Sequence, residues 1–338
     1  MRTEIDLVAI GHLPIHFDSL AQSLRRRFRL YCVRWTPTNR FGWTILPCLV
    51  IRLLRVAVRH KARILVAQYA FPDGIVAAIV ARLLRRPYFV QVVGSDIRLL
   101  SRGVKLALTS WVLTNATGVI CVSKDLERRT RMIGARRTQV IPTPVDLSIF
   151  VKECDVYRQS RLVTVANLVP LKAIDVLIKA LSKIPRTELI VIGEGPERER
   201  LERLSKELGL EGYVRFTGFI SQEEVAKYLQ SSSIFVLPSL TEGVPRSILE
   251  AMACGMFIIA TRVGGIPDVV TEGRNGFLIE PSDVHALYEA IRRALKSPEL
   301  VRSIGEENRR SVGKYDVEMI GRRIADFIER ATDMTARS

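Results

Sequence analysis

At 338 residues, with 48% hydrophobic and 25% charged side chains, the chain is long enough for two ordinary globular domains and too apolar to be disordered. Its 51 Lys and Arg against 35 Asp and Glu leave a net charge of +16. Of that, +15 falls in residues 1–155 (25 basic against 10 acidic), so the first half expects a polyanionic partner or an acidic membrane face. The five cysteines, Cys32, Cys48, Cys121, Cys154 and Cys254, are odd in number and scattered, with no Cys-x-x-Cys; that argues against a structural zinc site and for a reducing compartment, each reading as a small buried apolar residue.

The start, MRTEIDLVAIGH, is a short strand-like run with early charges rather than a secretory signal. The longest apolar stretch, Thr44 to Val58, is interrupted by Arg52 and Arg55, so no spanning helix is expected and the protein reads as cytoplasmic, at most peripheral on the inner face of the membrane. Residues 5–10 (IDLVAI) read as a first strand ending at Gly11-His12, before a helix around Asp18 to Phe28 whose basic end, Arg25 to Arg29, reads as solvated. In a doubly wound sheet that first loop lies on the ligand edge, which makes Gly11 a candidate donor contact without a G-x-G-x-x-G fingerprint.

Residues 45–59 (ILPCLVIRLLRVAVR) place arginines at 52, 55 and 59, on one helical face. That pattern suits an interfacial helix and equally a helix packed on its own sheet. Next, ILVAQYAFPDGIVAAIVARLLRRPYFVQVVGSDIRLL reads strand, loop, helix, strand, loop, a βαβ unit. GVICVSKDLERRTRMIGA repeats strand, turn and helix, the close prolines of Pro142-Thr143-Pro144 mark a stiff turn, and residues 147–160 are polar enough for a linker.

The second half opens with RLVTVANLVPLKAIDVLIKAL, a strand, a loop carrying Asn167 and Lys172, and a helix. Two more strand–loop–helix units follow, the second turning at Gly218-Phe219-Ile220. Then SSSIFVLPSL, a strand-type run, stops at the polar Ser-Leu-Thr-Glu-Gly, and a helix is expected from Pro245, at its first position, to Ala253. Val244, as its expected cap, supplies no side-chain acceptor, so free amides and the positive end of the dipole make an anion site. Glu242 stands before that helix and Glu250 about 7 Å along it. Phosphate in the middle and hydroxyl-rich rings at both ends describe a nucleotide diphosphate sugar. A last helix is expected over Asp316 to Arg330.

Glu242-x7-Glu250 with EAMACG, ATRVGGIPDVV and EGRNGFLIEP, preceded by PDG…P…GSD, strongly resembles the retaining glycosyltransferase family 4 of GT-B fold. The resemblance covers essentially the whole chain, most tightly 161–281. It implies an α/β protein of two Rossmann-like doubly wound domains facing a cleft: an acceptor-binding domain over 1–155, a nucleotide-sugar-binding domain over 156–315, and a terminal helix, 316–338, crossing back to the first. By resemblance Glu242 contacts the donor sugar, Glu250 the ribose and Lys172 the diphosphate. Asn167 stands where many relatives carry Arg, Phe219 lies at the base-binding edge, and Gly243, Val244, Arg246 and Ser247 complete the donor set.

Asp96 survives from the family's His-Gly-Ser-Asp, to orient hydroxyls or cap the next helix, but the His position holds Val93, which cannot act on a proton. Retaining enzymes of this type are thought to react on one face, the departing phosphate taking the acceptor's proton, which needs positioning more than a protein base. No Asp-x-Asp is present to hold a metal, so no cofactor is expected beyond the donor; Lys172 and the amides near Arg246 and Ser247 would stabilise the leaving group. The leading acceptor is a lipid-linked or membrane glycan. The alternatives are a non-catalytic nucleotide-sugar-binding relative or subunit, and a nucleic-acid binder. For the last, no helix-turn-helix, zinc finger or aromatic-studded RNA sheet accompanies the charge, so nucleic acid is not an expected partner.

Overall fold

The computed structural model describes residues 5–11, 21, 24–25, 28–35, 45–94, 97, 103–150 and 159–336. It divides into two compact units: unit 1, Met1–Pro144 with Val317–Ser338, and unit 2, Val145–Asp316. Among the described residues no helix is long and apolar enough to cross a membrane.

Unit 1 is built on strands β1 (Ile5–Gly11), β2 (Phe28–Arg34), β3 (Ile64–Ala67), β4 (Tyr88–Val92), β5 (Gly118–Cys121) and β6 (Thr138–Val140). They form one parallel sheet in the order β2-β1-β3-β4-β5-β6. The runs ILVA, YFVQV and GVIC are buried along their whole length, as expected of parallel strands covered on both faces. Strand β2 corrects the sequence reading, which carried a helix as far as Phe28. Phe28 is buried, with Leu30 and Cys32 packed against the same core, and Arg29 is exposed, so FRLYCVR enters the sheet although the arginine run before it reads as a helix end.

Among the described residues, helices α1 (Leu46–Arg59), α2 (Asp73–Leu84), α3 (Val104–Asn115) and α4 (Lys124–Met132) join these strands. Helix α1 buries Leu49, Leu53 and Ala57, at a four-residue spacing, and leaves Arg52, Arg55 and Arg59 exposed. Cys121 and Cys254 are buried as expected, but Cys48 lies on the exposed side of α1 and Cys32 is half-buried. Cys154 lies outside the described residues.

In unit 2 the short helix α5 (Leu147–Phe150) leads to strand β7 (Gln159–Val165). The linker reading of 147–160 therefore needs revision at both ends. Phe150 is fully buried, and its carbonyl accepts from Cys254 Sγ at 3.1 Å, so LSIF docks as part of the unit. Beyond β7 come α6 (Ile174–Leu181), β8 (Leu189–Ile192), α7 (Arg198–Glu207), β9 (Val214–Gly218), α8 (Gln222–Gln230) and β10 (Ser232–Leu237). They are followed by α9 (Arg246–Ala253), β11 (Phe257–Thr261), α10 (Ile266–Val269), β12 (Gly276–Ile279), α11 (Val284–Leu295) and α12 (Pro298–Ser311).

The unit 2 sheet is parallel, in the order β12-β11-β10-β7-β8-β9. The chain winds from β7 outward to β9, then returns to β10 on the other side of β7. Its topological switch point is thus between β7 and β10, where open α/β sheets take their ligands. One face of the core packs Leu177, Leu189, Phe257 and Ile291 together, with the Phe257 and Phe277 rings edge-on at 4.9 Å.

The last helix, α13 (Val317–Ala336), belongs to unit 1 by packing. Ile320, Ile324, Phe327 and Ile328 join Leu7, Val66, Phe89 and Ile120 in one apolar cluster. Arg323 and Arg137 fasten it: one donates to Val140 O at 2.9 Å, the other to Ala331 O at 3.0 Å.

Candidate active site

The switch point brings together two loops 70 residues apart. After β7 the chain passes Asn167, which is exposed, makes a 3-10 turn over Pro170–Lys172 and starts α6 from Ala173 in the left-handed region (φ 49°). After β10 it runs through Pro238 to Pro245 into α9. The Leu240 N–H donates to Leu171 C=O at 2.8 Å and clips the loops together. Lys172 Nζ then lies 2.5 Å from Glu242 Oε1.

Glu242 is held from a second side. Ser239 Oγ donates to the same Oε1 at 2.7 Å, and Thr261 Oγ1, at the end of β11, donates to the Ser239 carbonyl at 2.5 Å. Glu242 is 8% exposed, whereas Ser239 and Thr261 are fully buried. A third loop joins through Gly265 N–H, which donates to Gly243 C=O at 2.8 Å. The loop after β8 closes on the first by Leu168 N–H to Glu194 C=O at 2.8 Å. That approach requires glycine at 193: a Cβ there would sit 2.0 Å from Ala166 O, at a φ of +134°.

Helix α9 starts one residue later than the sequence suggested. Pro245 is its N-cap, extended at φ −68° and ψ 121°, rather than its first helical residue, and Val244 lies buried outside it. The pyrrolidine ring holds φ in place, and the Pro245 carbonyl accepts from Ile248 N–H at 3.2 Å. No side chain caps the helix. The first turn therefore presents main-chain N–H groups from Arg246 onward, at the positive end of the dipole. The helix ends at Gly255, φ 69°, where Met256 N–H reaches back to Ala251 C=O at 3.0 Å.

Glu250 is buried in α9, and Arg246, one turn earlier, approaches its Oε1 at 3.3 Å. Burial pushes the Glu250 carboxyl above its ordinary value, and the Arg246 guanidinium pulls against that rise. Arg246 is thus committed to a carboxylate rather than projecting into solvent.

Of the remaining predicted residues, Phe219 follows β9 directly and is 78% exposed. Ser247 is half-buried at the second position of α9. Gly11 ends β1 in unit 1, buried, its carbonyl accepting from Trp35 N–H at 3.4 Å. Val93 is half-buried just after β4, and Asp96 lies outside the described residues. Sequence reasoning missed Ser239, taken only as a turn former, and Thr261, because a hydroxyl whose partner is 22 residues away has no local signature.

The description Glycosyl transferase 4-like domain matches residues 3–146, and Glycosyl transferases group 1 matches residues 155–311. An uncharacterised glycosyltransferase of Methanocaldococcus jannaschii is 31% identical over 268 residues, 79% of this chain and 75% of that protein. The N-acetyl-alpha-D-glucosaminyl L-malate synthase of Bacillus anthracis is 30% identical over 281 residues, 78% of this chain and 73% of that one. In fold, sucrose-phosphate synthase of Thermosynechococcus elongatus is similar with a TM-score of 0.85 at 22% identity, over 98% of this chain and 100% of that one. Two parallel-sheet units, two matched family segments and relatives aligned over most of their own length make this chain a member of the group 1, family 4 glycosyltransferases of GT-B fold.

Proposed function

We propose that this glycosyltransferase is a retaining, metal-independent hexosyltransferase that moves a sugar from a nucleotide diphosphate sugar to a lipid-linked or membrane glycan. The observation that carries the donor half is the Lys172–Glu242 pair at the switch point of unit 2. An ammonium has three N–H donors, and Glu242 uses one, so diphosphate oxygens have two to engage. The amides opening α9 supply further positive potential for the same group. Glu242 Oε1 takes the donors from Lys172 and Ser239, and among the described residues no donor engages Oε2, which is left for a sugar hydroxyl.

In the proposed reaction the bond from the anomeric carbon to the phosphate oxygen breaks, the bond to the acceptor oxygen forms on the same face, and the acceptor's proton passes to the departing phosphate. Lys172 stabilises the charge that develops there. No side chain need act as base, which accommodates Val93.

Glu250, assigned to the ribose, gives a pH test. Hydroxyls that donate to a carboxylate bind its ionised form, so donor affinity is flat above the raised Glu250 value and falls as pH drops through it. In a titration of donor binding against pH, the fall is expected to begin above the ordinary carboxylate range and to vanish in Glu250→Gln. A wild-type profile flat across that range would remove Glu250 from the ribose.

Charge and exposure support the acceptor half. Unit 1 holds 28 Lys and Arg against 11 Asp and Glu, a net +17, whereas unit 2 is at −1 (23 against 24). On α1, Ile51 (49% exposed) and Val58 (58% exposed) stand among the exposed Arg52, Arg55 and Arg59. Apolar side chains set in a basic face suit the interface of an anionic bilayer. One experiment tests the whole reading: UDP-, GDP- and ADP-sugars offered with vesicles of extracted anionic lipid, in chelator. A single donor is expected to give a lipid product with the donor's anomeric configuration. Binding without transfer to any acceptor would favour the non-catalytic relative that Val93 suggests, and an inverted product or dependence on metal would overturn the mechanism.

A further inference from the structure

We propose that Ser239 and Thr261 are positioning residues for Glu242, a hydroxyl relay that decides which carboxylate oxygen faces the donor sugar. The inference rests on the reading that Glu242 holds that sugar. Strands β10 and β11 are neighbours in register up to Leu237 and Ala260, so Thr261, the last residue of β11, stands beside the start of the loop that carries Ser239. Thr261 Oγ1 fixes the Ser239 main chain through its carbonyl, and Ser239 Oγ fixes Glu242 through Oε1. Both hydroxyls are fully buried, so water does not compete for either.

The loop itself does not need this relay. Leu240 N–H to Leu171 C=O and Gly265 N–H to Gly243 C=O, each 2.8 Å, already tie it by main-chain bonds on both sides of Glu242. What the Ser239 hydroxyl adds is the orientation of a side chain. Lys172 also donates to Oε1, but in the proposed reaction the diphosphate draws on the same ammonium. Ser239 has no such second claim, so with donor bound it becomes the dependable donor on Oε1. With Oε1 kept inward, Oε2 presents an acceptor to a sugar hydroxyl at a fixed angle.

The relay is therefore expected to matter for the sugar and not for the nucleotide. Affinities of UDP and of UDP-glucose (or of GDP and GDP-mannose, whichever base the enzyme takes) are measured calorimetrically for wild type and variants. Ser239→Ala is expected to lose about tenfold for the nucleotide sugar, with a raised donor KM, while the bare nucleoside diphosphate binds as before and the melting temperature holds. Thr261→Val is expected to shift the ratio in the same direction and Thr261→Ser to restore it. Equal weakening of nucleotide and nucleotide sugar in Ser239→Ala would reduce the relay to loop structure and overturn the proposal. Glu242→Gln separates the two readings. If it abolishes the preference for the nucleotide sugar and Ser239→Ala leaves it intact, the relay alone fails. If Glu242→Gln leaves it intact, the assignment of Glu242 to the sugar fails with it.

Discussion

Lys172→Met is expected to lower turnover by about a hundred- to a thousandfold, the usual loss when one fixed electrostatic group is taken from a developing charge. The expectation is at the upper end because Asn167, exposed in the same loop, is neutral and contributes no second charge. Methionine keeps the length of the stem, so the loop and its Leu240–Leu171 clip are retained. Glu242 keeps Ser239 as a donor in that variant, which limits the cost of leaving a nearly buried carboxylate without its cation. Single-turnover kinetics at saturating donor check the result. A turnover within a few fold of wild type would show that Lys172 does not meet the leaving group.

Phe327→Ala is expected to destabilise unit 1 by about 3–5 kcal/mol, the cost of removing a buried aromatic ring. Phe327 is 6% exposed on α13 and meets the Phe89 ring edge-on at 6.0 Å. A Cβ at Gly118 would lie 2.8 Å from it, so β5 is shaped to admit that ring. The loss is a large part of the ~5–15 kcal/mol that holds a typical domain. All three tryptophans, Trp35, Trp43 and Trp111, fall in the segment assigned to unit 1, so urea unfolding followed by their fluorescence reads that unit. Nucleotide binding, which the proposed function assigns to unit 2, is expected to persist. A midpoint unchanged from wild type would mean that α13 does not carry the core of unit 1.

Most of the architecture was legible because a parallel sheet covered on both faces writes its strands as short apolar runs, and IVIG, FVLP and FIIAT do so without ambiguity. The failures have local causes. Strand β2 sits inside an arginine run, and Arg29 and Arg34 reach solvent from a strand whose other residues do not announce it. LSIF looks like linker because only tertiary packing hides Phe150. Pro245 is as compatible with an N-cap as with the first turn, its φ serving both, so the helix start was open by one residue. Motif context picked out Glu242, Glu250 and Lys172 as candidates. That Lys172 and Glu242 form an ion pair was not, since strand order, not spacing, makes β7 and β10 neighbours.

The order in which the two units complete during synthesis runs against their order in the chain. Val145 and Asp316 are paired to one another, with Val145 N–H donating to Tyr315 C=O at 2.9 Å, so unit 2 begins and ends at one place. Every residue of unit 2 has been polymerised before α13 is made. Unit 1, translated first, must wait with Leu7, Val66, Phe89 and Ile120 lacking the helix that covers them. Unit 2 is therefore the first to have its whole sequence, and the basic unit 1 remains the aggregation-prone one until the last turns of α13 emerge. A chain truncated after Asp316 is the form in which a chaperone has most of that apolar surface to shield.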